Sequence, residues 1–309
     1  LNDCWAMQPR WSQDGNRIIY VTPESPGPGG GYRLVLASVP AVGGKGKLLP
    51  KDLDGKTIRQ LGNQSGNRLS PDGNTIVTAA WTAEDTIGNI GNRYIGLPTT
   101  HIWKISLDGN KSEKITNENR SYADVCPSWS PDGEKIAFIR MKKLNENLPL
   151  GALDSYSIYT VNSSGGDLKL LISESDKWIN SPVWSPDGKM IAYFTAGKNP
   201  PNAKFMNIYN LENGVAKVVG EVPVAGTSID LALSPDSRLI AFNDREGKVI
   251  KVMNIDNGTI EDIQTNLADD ISIYHLDWSL DGKQFVFGGE KGGITEFWFL
   301  EDFLPLIKK

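Results

Sequence analysis

One short string recurs six times along the chain and limits what it can fold into: WSQDG at 11–15, LSPDG at 69–73, WSPDG at 129–133, WSPDG at 184–188, LSPDS at 233–237 and WSLDG at 278–282. The aspartates of the six copies are Asp14, Asp72, Asp132, Asp187, Asp236 and Asp281, so successive copies lie 58, 60, 55, 49 and 45 residues apart. A period of about 40–50 residues belongs to arrays in which each repeat is one four-stranded unit. Ser-Pro-Asp-Gly is turn chemistry: Pro pre-sets φ at the second position, Asp suits the third, and Gly takes the left-handed conformation that closes a hairpin. Gln13 and Leu280 in place of Pro, and Ser237 in place of Gly, weaken single turns without changing the count.

After each turn comes an apolar strand: RIIYV, TIVTA, KIAFI, MIAYF, LIAFN and QFVFG. Small residues at the middle position let neighbouring units pack face to face, while Tyr20, Phe138, Tyr193, Phe242 and Phe287 fill the wider outer gap. A third strand follows, ending in hairpin signals such as Asp108-Gly109, Asn213-Gly214 and Asn257-Gly258. Six such units give an all-β, six-bladed β-propeller with four antiparallel strands per blade, and residues 1–309 are read as a single domain.

The fuller pattern P-x-W-S-P-D-G-x-x-I-A-F, seen at Pro127–Phe138 and Pro182–Tyr193, resembles the propeller repeat of the TolB-like, WD-repeat-related family. The resemblance covers the propeller alone. TolB also carries an N-terminal α/β domain, for which this sequence shows no counterpart, so the Tol–Pal role does not follow. What the resemblance implies is a binding or protein–protein interaction module, with a periplasmic or extracellular location.

Composition narrows the partners. With 32 basic and 37 acidic residues the net charge is −5 and no basic stripe occurs, which argues against nucleic acid. No run is long and apolar enough for a membrane-spanning helix, so no direct membrane insertion is expected. The chain begins at Leu1 without an initiator Met or signal pattern, as expected of a processed start, or of one domain of a larger exported or membrane-attached protein. Cys4 and Cys126 lack metal or redox spacing and are read as two thiols, with one disulfide as the alternative. A monomer is expected, with a protein or peptide partner and a carbohydrate as the second candidate.

Antiparallel order puts the SPDG and third turns of every blade on one smooth face and the remaining loops on the other. Against the shortest repeat, the first four intervals carry 13, 15, 10 and 4 extra residues, which read mostly as loops at Thr22–Gly31, Thr82–Thr100, Met141–Ser155 and Ala196–Lys204. Leu49–Gly55 falls instead around the fourth strand of blade 1. Insertions on a rigid scaffold are where binding residues concentrate, so the loop-rich face of blades 1–4 and the channel mouth are the expected working surface.

Counting six residues back from each motif Trp or Leu gives Trp5, Asn63, Ala123, Trp178, Thr227 and Ser272 as equivalent rim positions. The candidate binding face comprises Trp5, Trp81, Tyr94, Tyr122, Asp124, Trp178, Asp230, Tyr274 and His275. Its tryptophans serve either as a stacking platform or as seals between blades. No cofactor is expected; Asp124, Asp230 and Asp277 are the only candidates to hold a divalent cation in the channel, since Asp52-Leu-Asp54-Gly55 lacks the EF-hand spacing. No G-x-S-x-G elbow occurs, Gly226-Thr-Ser228-Ile-Asp230 being the nearest string, and two histidines exclude a His-rich metal centre. No catalytic residue is assigned. The alternative is a lyase or hydrolase of the channel, acting on a polysaccharide or peptide through His275 with Asp277 or Asp230. His101, with no carboxylate close in sequence, is read as structural.

Overall fold

A computed structural model describes residues 7–12, 14–24, 33–48, 59–60, 68–82, 85, 89–90, 93–94, 99–108, 111–117, 121–143, 153–197, 203–223, 230–243, 249–268, 270–291, 294–301 and 303. Each motif turn joins the first strand of a blade to the second, and the blades follow one another along the chain. Blade 1 contains β1 (Met7–Trp11), β2 (Arg17–Glu24), β3 (Arg33–Pro40) and β4 (Lys47–Leu48). Blade 2 contains β5 (Arg59–Gln60), β6 (Arg68–Leu69), β7 (Thr75–Trp81), β10 (His101–Ser106) and β11 (Ser112–Lys114), with a separate hairpin of β8 (Asn89–Ile90) and β9 (Arg93–Tyr94) inserted between β7 and β10. Blade 3 is β12 (Tyr122–Trp129), β13 (Lys135–Lys143), β14 (Leu153–Asn162) and β15 (Lys169–Glu174). Blade 4 is β16 (Lys177–Trp184), β17 (Met190–Gly197), β18 (Lys204–Asn210) and β19 (Ala216–Glu221). Blade 5 is β20 (Leu231–Leu233), β21 (Leu239–Asn243), β22 (Val249–Asn254) and β23 (Ile260–Gln264). Blade 6 shows β24 (Ser272–Trp278), β25 (Gln284–Lys291) and β26 (Ile294–Glu301) among the described residues. All pairings are antiparallel, so the fold is the six-bladed propeller expected.

The motif turns are held by a hydrogen-bond pattern that explains their residue types. In blade 3 the Ser130 hydroxyl donates to Asp132 (2.5 Å) and accepts from the Lys135 amide (2.8 Å), while Asp132 accepts from the Glu134 amide (3.0 Å). The same three bonds recur from Ser12, Ser70, Ser185, Ser234 and Ser279. Ser237, in the place of Gly, still takes φ 60°, and its hydroxyl accepts the Asp187 amide of blade 4 (3.1 Å), so the exception becomes a tie between blades. Gly188, at φ +73°, is needed twice over, because a side chain there would meet Pro131 of the preceding blade at 3.3 Å.

The core lies between blades. Phe138, Tyr193, Phe242 and Phe287 are all buried there, beside the small residues Ala137, Ala192, Ala241 and Val286 of the same strands. Blade 6 closes onto blade 1 through side chains: Trp11 lies 5.6 Å from Phe299, Tyr20 lies 4.9 Å from Phe297, and Val286 packs with Trp11 and Ile18. Phe303 stacks on Phe285 at 4.2 Å, inside the same end of the ring. Residues 1–6, 25–32 and 49–58 lie outside the described set, and with them the stretch Leu49–Gly55 and all of the expected loop at Thr22–Gly31 except its first three residues, which are strand and end β2.

Candidate channel site

The innermost strands β1, β6, β12, β16, β20 and β24 surround the central channel. Four of them carry the same irregularity. In β12, Val125 pairs with Ile139 and Ser128 with Ala137, leaving Cys126 and Pro127 opposite the single residue Phe138. β1 and β16 repeat this at Gln8-Pro9 and Ser181-Pro182, and β24 inserts His275 alone. Each bulge holds a non-glycine residue at positive φ: Gln8 (54°), Cys126 (52°), Ser181 (52°) and His275 (45°). Left-handed backbone costs such residues on the order of 1 kcal/mol each, and bulges serve to re-aim side chains. All four sit three residues before the motif Trp, and Asp230 occupies that place in blade 5.

The residues so placed form a polar collar, completed by those one residue before the motif Trp or Leu: Arg10, Arg68 and Asp277. His275 donates from Nδ1 to Asp230 Oδ2 across the boundary between blades 5 and 6. Arg10 Nη2 lies 3.8 Å from the other oxygen of Asp230, and its Nη1 donates to the carbonyls of Pro9 (2.9 Å) and Leu276 (3.1 Å). Asp277 accepts the Trp11 amide at 3.0 Å. Arg68 of blade 2 reaches across the channel to the Leu231 carbonyl of blade 5, at 3.5 Å. The Cys126 thiol donates to Asn180 Oδ1 at 3.5 Å.

Electrostatics follow this arrangement. Burial would raise Asp230, but the charge and hydrogen bond of His275, with the charges of Arg10 and Arg68, hold it well below the ordinary carboxylate range. Burial pushes Asp277 up despite the same two arginines. Burial and then the like charge of Arg10 bring Arg68 down to about 10, and burial followed by the charge of Asp230 pushes Cys126 up to about 12.

Solved structures place this ring. The chain superposes on TolB from Acinetobacter baumannii with a TM-score of 0.63 at 18% identity, covering 93% of this chain and 61% of that one. The fold is that of the TolB propeller. A second TolB-type structure, from Agrobacterium tumefaciens, gives a TM-score of 0.54 at 19% identity over 84% of this chain and 81% of that one. The TolB-like ring also matches an oligogalacturonate lyase from Vibrio parahaemolyticus, with a TM-score of 0.58 at 12% identity over 99% of this chain and 93% of the lyase. No protein-family model matches the chain. An uncharacterised protein of Agrobacterium fabrum is 33% identical over 94 residues, 30% of this chain and 31% of that protein. The uncharacterised peptidase YuxL of Bacillus subtilis is 29% identical over 93 residues, 30% of this chain and 12% of the peptidase. The matched stretches therefore span less than a third of either relative's length.

Within the TolB-like ring the residues singled out from sequence divide. His275 and Asp230 do come together, and Asp277 lies beside the same arginines. Asp124 does not join them: it is 1% exposed and bound by Arg140 through Nε (2.7 Å) and Nη2 (2.9 Å), inside blade 3. Tyr122 covers that pair, with the Arg140 guanidinium 5.4 Å from its ring. Trp81 is buried on β7, and Trp178 is half-buried against the core between blades 4 and 5. Tyr94 ends the inserted hairpin and Tyr274 lies on β24 opposite Gly288, their side chains being outside the described set, as is Trp5.

His101 finds a carboxylate partner that is remote from it in sequence: its Nε2 lies 3.2 Å from Asp85, and both side chains are buried. Asp85 also takes Lys114 Nζ at 3.0 Å and both the amide (2.7 Å) and hydroxyl (3.0 Å) of Thr82. Burial works against the Asp85 charge, but these bonds hold it well below the usual carboxylate range. Asn63, counted as the equivalent of Ala123, lies outside the described residues; Ala123 pairs with Met141, and Trp81, the residue of blade 2 that matches Met141, pairs with Arg59, so Arg59 takes that place. Arg10 and Arg68 were missed altogether, although the arginine directly before each motif's first residue is visible in QPRW and GNRL. Among the described residues no group of three or more His, Cys, Asp or Glu is gathered as for a metal.

Proposed function

We propose that this propeller is a non-catalytic binding module that takes a protein or peptide partner on its loop-rich face, over the mouth of the channel. The observation that carries this is the insertion of blade 2. Thr82–Thr100 exceeds what a blade needs, contains its own hairpin, and is pinned at its base by Asp85 to His101 and Lys114. Insertions on a rigid scaffold are where binding residues concentrate. In the collar both carboxylates have protein partners, Asp230 in His275 and Asp277 in the Trp11 amide, which suits recognition better than turnover. A periplasmic or extracellular monomer is the setting this reading implies. The test is to capture partners from the native source, measure one by calorimetry, and repeat with residues 87–97 replaced by a short Gly-Ser link. A loss of at least tenfold in affinity is expected; unchanged affinity would remove the loop-face reading.

A second reading rests on the His275–Asp230 pair, which has the form of an acid–base dyad within a ring whose fold is shared by an oligogalacturonate lyase. Incubation with oligogalacturonides, read by the ultraviolet absorbance of an unsaturated product, tests it. Turnover that disappears in His275→Ala would replace the binding-module reading with this one.

A further inference from the structure

Two guanidinium groups in the collar have donors to spare. Among the described residues Arg68 makes one long bond, to the Leu231 carbonyl at 3.5 Å, although a guanidinium carries five N–H donors. Arg10 spends its close bonds on two carbonyls, stands 3.8 Å from Asp230, and keeps a buried Nε with no partner among the described residues. Asp230 and Asp277 stand near both arginines, but their short bonds go to His275 and to the Trp11 amide. Blade 2 and blade 5 face each other across a six-membered ring, and the Arg68–Leu231 contact joins them. Arginine is suited to planar, bidentate recognition of a carboxylate, and such bonds are shorter and about twice as strong as neutral ones.

We propose that Arg68 and Arg10 form a carboxylate-binding site at the collar, which receives the free C-terminal carboxylate of a peptide or protein partner entering the channel. This rests on the binding-module reading and names the chemical group that the module recognises. On binding, Arg68 exchanges its long carbonyl bond for a bidentate pair with the incoming carboxylate, and no covalent bond changes. The half-buried Cys126 of blade 3 and Ser181 of blade 4 hold the same bulge position as Gln8 and His275 and are neutral polar residues.

The test uses the whole chain and an acetylated tetrapeptide, Ala-Ala-Ala-Ala, with a free C-terminus, against its C-terminal amide, galacturonic acid and galactose. Binding is followed by the arginine Nε–Hε resonances and by calorimetry. The free-acid peptide should shift the Arg10 and Arg68 signals and bind at least tenfold more tightly than the amide. Arg68→Gln should cost at least tenfold, and Arg68→Lys, which keeps the charge but loses the fork, should fall between. Circular dichroism of both variants should match the parent. Equal binding of acid and amide, no shift at either arginine, or an unchanged affinity in Arg68→Gln would overturn the proposal, as would binding of galacturonic acid alone. Its failure is separable from that of the module: a captured protein partner whose affinity depends on the blade 2 loop but not on Arg68 would leave the module standing and remove the carboxylate site.

Discussion

Buried charge in this ring is handled in two opposite ways, and the difference is visible one residue at a time. Arg140 and Asp124 form a bidentate pair in which both side chains are almost fully buried, with aromatic rings of Tyr122, Phe138 and Tyr159 stacked near the guanidinium. Arg140→Met should therefore leave a buried carboxylate uncompensated, at a cost of about 3–5 kcal/mol. Urea denaturation is the measurement, and the double variant Asp124→Leu/Arg140→Met should recover most of the loss, because removing both partners leaves no orphan charge. Arg68 is the contrary case. Its single long carbonyl bond does little to offset the desolvation that brings it down to about 10, so Arg68→Gln should leave the urea midpoint unchanged or raised. A midpoint that fell as far as that of Arg140→Met would mean that Arg68 braces the ring.

At the scale of the turn and strand, the motif aspartates couple the fold to pH. Asp72 and Asp132 are lowered first by their motif serine and then by an amide two residues on, and Asp281 follows the same order. Asp14, exposed and held by Ser12 and the Asn16 amide, is lowered to about 2, while in Asp187 burial opposes the same two bonds without cancelling them. A carboxylate whose folded pKa is depressed contributes stability that is complete above its unfolded value and lost as pH falls through the folded one. The melting temperature should thus hold down to about pH 4 and decline towards pH 2, and Asp→Asn at these five turns should flatten that decline. The turns were legible in sequence because Ser, Pro, Asp and Gly each have a distinct local reason to be there. The bulges were not. A residue inserted into the innermost strand shifts the alternation of every side chain before it, so counting six back from the motif led to Ala123 in the core and Trp178 against it, while the collar lies three and one back. The Pro that follows Gln8, Cys126 and Ser181 is the trace a bulge leaves in the sequence, and His275 in β24 lacks even that. Ser181→Gly tests the strain at these sites: with φ at 52°, it should be neutral or stabilising by up to about 1 kcal/mol, whereas Ser181→Val should destabilise.

Over the whole molecule, six blades in sequence order raise the question of how the last meets the first. The count and order of blades could be read from the repeat alone, since each copy carries its own turn and its own strand. Closure could not, because it depends on contacts between residues nearly 300 positions apart. Trp11 is the pivot: its ring lies 5.6 Å from Phe299, its amide donates to Asp277, and its neighbour Arg10 donates to the Leu276 carbonyl. Among the described residues the ties across this seam are side-chain packing and a few polar contacts. Trp11→Ala should cost about 3–5 kcal/mol as a buried aromatic truncation. More diagnostic is where that loss falls. Hydrogen exchange should rise in β1, β2, β25 and β26, on either side of the seam, while β13 and β17, between blades 3 and 4, keep their protection until global unfolding. Uniform acceleration across all six blades would show that the ring opens as one unit, and that its weakest point is not where its ends meet.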